Sequence, residues 1–253
     1  MSGRNGMEMG LPGLRRGAVG LLVAGGILGL APIVALAAAW TFAAAAGAVS
    51  AGVFGPGAIE RNESLKTVIY FAALHGTVAI LSFAAMRWTS RDGTRAPEGE
   101  LWPEGPHLYA RSSAALLAGM GLWLSALALI APQALWAEVG DYPRLIRSEG
   151  GLLLVPVLCL LAPVAEELLF RGLLFDALRG TQLGAMGAAT LTSLAWALLH
   201  VDHSWFSRAH LFLAGLVLSW LVVRTGRLGL AIWCHVLFNL TLSAVLLLTV
   251  PAG

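Results

Sequence analysis

Long apolar runs alternate with short charged connectors along nearly the whole chain. Seven such runs can be marked, over 18–48, 65–86, 113–136, 151–178, 183–200, 211–223 and 228–250. Crossing a bilayer core by helix takes about 20 mostly apolar residues, and most of the runs approach or exceed that length. None shows the period-two alternation of a barrel strand, so the pattern predicts helices. The first run exceeds the bilayer thickness and must tilt, kink near Pro32 or break in two. The sixth is short. The expected fold is all-α, a polytopic transmembrane helical bundle of about seven membrane helices, with six to eight also compatible.

The connectors divide the chain into a tail at 1–17, helices and loops over 18–150, and a C-terminal membrane region over 151–250. The stretch TSRDGTRAPEGELWPEG (89–105) reads as a flexible link rich in Gly, Pro and charge. Residues 135–146 suit a short interfacial helix carrying Trp136 and Tyr142. With the N-terminus inside, Arg4, Arg15, Arg16, Arg87, Arg91, Arg95, Arg111, Arg179, Arg224 and Arg227 fall on the cytoplasmic side. The other side keeps Arg61, Lys66, Arg144, Arg147 and Arg208. That asymmetry favours an N-in, C-out topology and makes the first 17 residues a cytoplasmic tail.

Composition sharpens the class. At 58% hydrophobic and 12% charged residues, with a mean hydropathy of +0.78, the chain is too apolar for an ordinary soluble domain. The net charge of +2 is small and its basic residues are scattered over loops, so nucleic acid is not an expected partner. Cys159 and Cys234 both fall inside apolar runs and read as packed thiols rather than a disulfide.

Ionisable residues at membrane depth are expensive and tend to be functional. Those inside the apolar runs are His75, Glu166, Glu167, Arg171, Asp176, His200 and His235, joined by the polar Asn239. Most lie in the C-terminal half. In PVAEELLFRG (163–172), Glu167 and Arg171 are four apart on one helix, acid before base, and can pair along one face. Glu166 then points about 100° away, unpaired and available to another neighbour. The alternative is that all three form a structural ion cluster. His235 and Asn239 are also four apart, so imidazole and amide can address one ligand group, or else simply bond to each other or to backbone. His200 ends the fifth run. Two carboxylates, two histidines and an amide on three helices are the parts of an activated-water hydrolase.

These residues resemble a known family. Glu166-Glu167-x-x-x-Arg171, then Trp196-x-x-x-His200, then His235-x-x-x-Asn239 look like the three motifs of the CAAX-protease and bacteriocin-processing (CPBP) intramembrane proteases. FLAGLVLSWLVVRTGRLGLAIWCHVLFN (212–239) is similar to the family's stretch between the last two motifs. The resemblance covers about 151–247; Trp196 departs from the usual Phe but keeps an aromatic. It implies a catalytic membrane region at 151–250. There Glu166 would activate water, His200 would be its partner on that water, His235 and Asn239 would form the oxyanion site, and Glu167 and Arg171 would support them. It further implies an integral membrane protein, in bacteria of the inner (plasma) membrane, acting on a membrane-associated or lipidated protein or peptide. The expected cleavage lies near the substrate's membrane-proximal or C-terminal end. Metal-free chemistry is favoured because a zinc site would leave Asn239 idle; were zinc used, Glu166, His200 and His235 would hold it.

Upright helices create a conflict. At 1.5 Å per residue, Glu166 and His200 would lie about 20–25 Å from the inner face and His235 only about 12 Å. Meeting requires tilt, or a turn at 225–229 below the membrane surface. Two other functions suit the same residues: a catalytically inactive scaffold or immunity-type partner, and a proton-coupled transporter. The second would often show two similar halves, which this chain lacks.

Overall fold

The structure, a computed structural model, describes residues 17–31, 33, 37, 63–89, 105–130, 132–133, 141–148, 151–201 and 203–249. Among these residues there is no strand. The helices are α1 (Gly17–Ala31), α2 (Glu63–Thr89), α3 (Pro106–Ile130), α4 (Asp141–Arg147), α5 (Gly151–Arg179), α6 (Gly184–Leu199), α7 (Trp205–Thr225) and α8 (Leu228–Thr249). Five of them, α2, α3, α5, α7 and α8, are long and apolar enough to cross a membrane, and the chain is an integral membrane protein.

Each of the seven apolar runs contains a helix, with three corrections. The third helix starts at Pro106 rather than 113, because Tyr109 and Ser113 pack against Trp233 and hold its first turns to the bundle. The sixth run is not short. The Ser204 hydroxyl accepts from Ser207 N–H and starts α7 at Trp205, and Gly226 closes it in the left-handed conformation at φ 68°. His200 lies just past the end of α6 rather than in it, at φ −81° and ψ 65°. The described part of the first run ends at Ala31, directly before Pro32; the tail at 1–16 and the link at 90–104 lie outside the described residues. So does Trp136, while Ser64 is buried against the Ser148 hydroxyl.

The helix at the centre is α5. Half of its apolar window is buried, against 17% for α2 and α3, whose faces carry exposed side chains such as Ile80, Leu122 and Leu129. That contrast follows from the medium: outward Leu and Ile side chains are at home in lipid. Cys159 and Cys234 are free and buried, as packed thiols.

The register of α5 against α8 positions the site. The two run antiparallel, with Gly172 beside Leu228, Glu167 bonded to His235, Leu158 bonded to Asn239 and Cys159 near Ser243. Thus α8 begins opposite Gly172 and not opposite Arg179, which is seven residues, or about 10 Å, further on. The turn between α7 and α8 lies short of the end of α5 by the amount that upright helices could not supply. Staggered ends remove the conflict.

One end of the bundle gathers Arg87, Arg111, Arg179, Arg224 and Arg227, and the other holds Lys66, Arg144, Arg147 and Arg208. At this second end, α4 buries Pro143 and Ile146 and sets the Tyr142 hydroxyl 2.7 Å from Ser243 Oγ. Burial, ahead of the other influences, pushes that hydroxyl up to about 12, so it stays a neutral hydrogen-bonding group.

Candidate active site

Glu166 and Glu167 stand on a helix whose winding changes twice around them. The backbone of α5 widens to π-type turns over Val157–Leu161 and Leu168–Leu174, with regular α-helix at Ala162–Glu167 between. Such turns recur at functional sites because they re-aim side chains. The first has a visible cause. Ala162 N–H bonds to Val157 O, and the next residue, Pro163, has no N–H to give Leu158 O. That carbonyl accepts instead from Asn239 Nδ2, at 2.9 Å.

The buried ion pair predicted from spacing is present. Arg171 Nη1 donates to Glu167 Oε1 at 2.8 Å with both side chains fully buried. Gly215 leaves room for the guanidinium, since a Cβ there would come within 2.9 Å of Arg171 Nη2 and 2.8 Å of Ser193 Cβ. The guanidinium also stands 4.7 Å over the Trp196 ring. Glu167 Oε2, Arg171 Nε and Nη2 and Ser193 Oγ are buried with no hydrogen-bond partner among the described residues.

The same Glu167 oxygen accepts from His235 Nδ1 at 2.9 Å. A carboxylate paired with arginine only accepts, so Nδ1 carries the proton and Nε2 turns to the other side of the ring. There it lies 3.9 Å from Glu166 Oε2. Glu166 points away from the pair, as its position on the helix requires, and its Oε2 accepts from Trp196 Nε1 at 2.6 Å. Its Oε1 faces His75 Nε2 at 3.8 Å. Glu166 is 20% exposed by side chain where Glu167 is wholly enclosed, so water reaches the first carboxylate and not the second.

The other two expected members stand further off. His200 does not reach the Glu166 carboxylate; its Nδ1 donates to Trp196 O at 2.8 Å and its ring meets the Trp196 edge at 5.1 Å. Trp196 presents an edge-on contact to His235 as well, at 5.3 Å, and so stands between the two imidazoles. Asn239 spends one amide hydrogen on Leu158 O and has no direct bond to His235. Among the described residues no three His, Cys, Asp or Glu side chains are grouped so that they could hold a metal ion.

Two participants escaped the sequence. Trp196 could be read only as an aromatic replacing Phe, whereas its indole N–H holds Glu166. His75 was visible as an ionisable residue at membrane depth, but nothing local to α2 indicates what it faces.

The site thus combines, within a helical membrane bundle, a partly exposed carboxylate with nearby imidazoles, the parts of an activated-water hydrolase. Residues 148–241 match the family model of type II CAAX prenyl endopeptidase Rce1-like proteins, so this part of the chain is similar to membrane-embedded CAAX endopeptidases. All three sequence motifs lie inside the matched span, and His75 lies outside it. No curated protein and no solved structure matches the chain.

Proposed function

We propose that the chain hydrolyses a peptide bond near the membrane-proximal or C-terminal end of a lipidated or otherwise membrane-associated substrate, with Glu166 as the base that activates water. The observation that carries this is the division of labour between adjacent carboxylates. Glu167 is paired with Arg171 and closed off, while Glu166 makes no Arg or Lys salt bridge among the described residues and is partly open to water.

Water gives a proton to Glu166 as its oxygen adds to the scissile carbonyl carbon, and the carbonyl oxygen becomes an oxyanion. His235, oriented by Glu167 through Nδ1, takes on Nε2 the proton that Glu166 received from water, holds the oxyanion with it, and returns it to Glu166 as the intermediate collapses. Asn239 contributes only with the amide hydrogen that Leu158 O leaves over. Collapse breaks the C–N bond, and the amine leaves with a proton from Glu166, relayed where needed by His200 beyond the Trp196 ring. Acid and amine are released and Glu166 is again a carboxylate.

The chemistry proceeds without a metal in this reading. Location in a bacterial inner membrane belongs to the same proposal. It is tested with protein purified into lipid vesicles and a fluorescence-quenched farnesylated peptide ending in a CAAX sequence. Glu166→Gln is expected to lower kcat by about 1,000-fold or more at unchanged melting temperature, and chelators to leave wild type unaffected. Stoichiometric zinc in active preparations, or an active Glu166→Gln, would overturn it.

A further inference from the structure

His75 sits mid-way along α2, outside the region that matches the endopeptidase family, yet its imidazole faces the same carboxylate as the motif residues. Three observations fix how it does so. Its Nδ1 is 2.8 Å from Phe71 O, and a carbonyl only accepts, so Nδ1 carries the proton and Nε2 of the neutral ring is an acceptor. The Phe71 ring stacks on it at 5.8 Å and 14°, which holds the ring plane. Nε2 is therefore presented to Glu166 Oε1 at 3.8 Å, too far for a direct hydrogen bond and between two acceptors.

Two acceptors that face one another in a solvent-accessible place call for a donor between them, and water has two hydrogens to give. The two oxygens of Glu166 are not equivalent. Oε2 is already bound by the Trp196 N–H at 2.6 Å and is the poorer proton acceptor for it. Among the described residues Oε1 carries no such bond, and the imidazole beside it, at 3.8 Å, is that of His75.

We infer that His75 is a catalytic residue of this enzyme: it binds the nucleophilic water through Nε2, while Glu166 Oε1 takes that water's other proton. The inference rests on the reading of Glu166 as base. In the step, one O–H bond of water breaks toward Glu166, the new C–O bond forms at the substrate carbonyl, and the hydrogen facing His75 stays on the oxygen. His75 orients the lone pair and ends the step unchanged. The site so completed spans α2, α5, α6 and α8, and one of its members comes from outside the family's segment.

The test compares wild type, His75→Leu, His75→Gln and Glu166→Gln as full-length protein in lipid vesicles, using as substrate the fluorescence-quenched farnesylated peptide ending in a CAAX sequence. Leucine fills the space without an acceptor; glutamine restores an acceptor oxygen at a similar reach. The expected result is a kcat lower by about 10- to 100-fold in His75→Leu with KM within about twofold, and recovery of most of the loss in His75→Gln. Melting temperatures of the variants verify that the bundle is intact. Wild-type kcat in His75→Leu beside an inactive Glu166→Gln would overturn the role of His75 and leave the base standing. A change in KM alone would overturn it in favour of substrate contact. An active Glu166→Gln would remove the base and this inference with it.

Discussion

Glu167 and Arg171 illustrate what a buried charge demands. Neither side chain has access to water, and their bond is joined on the same carboxylate oxygen by His235. Removing one member of a buried pair leaves the other unpaired, at a cost of about 3–5 kcal/mol. Glu167→Gln keeps an acceptor for His235 but strands the guanidinium, so it should destabilise the protein by about that amount in denaturant unfolding from detergent micelles. Adding Arg171→Met should restore much of the loss; equal or additive losses would show that the pair carries no such coupling. This part of the site was legible in the sequence, because four-residue spacing on a helix dictates both the pairing and the turning away of Glu166. The indole N–H on Glu166 was not, since hydrogen-bond partners across helices leave no trace in local spacing.

At the scale of elements, α5 shows a proline creating a need that a different helix fills. Pro163 removes the donor that Leu158 O would use, and the Asn239 amide on α8 replaces it. The His235-x-x-x-Asn239 spacing suggested two groups on one ligand, and the structure gives them different partners on α5. Asn239→Ala should orphan the carbonyl and cost about 1–3 kcal/mol of stability. In a Pro163→Ala background, where residue 163 offers an N–H, the same substitution should cost less than half as much by the same unfolding measurement. An equal cost in both backgrounds would show that Pro163 and Asn239 act independently. The helices themselves were legible from the apolar runs, but the register between them was not. Run lengths fix where a helix can lie and say nothing of the stagger of its ends, which is why His235 looked about 10 Å misplaced.

The whole molecule has a basic end, with Arg87, Arg111, Arg179, Arg224 and Arg227, and a second end closed by α4. Both native cysteines are buried, so an introduced cysteine can be read against a quiet background. Arg224→Cys is expected to react with a membrane-impermeant maleimide only in inverted vesicles, and Arg144→Cys only from outside intact spheroplasts. The reverse pattern would invert the topology. Helical class and membrane location were legible in the composition and runs of the chain; the part played by His75 was not, because it is assembled only when α2 packs on α5.

The most direct measurement compares membranes from cells carrying wild type, Glu166→Gln or no copy, reading protein C-terminal ends by mass spectrometry. Ends present with wild type and absent to the same degree in the other two are the predicted result, and they would name the substrate class. A Glu166→Gln strain that shows the same ends as wild type would contradict the account at its centre.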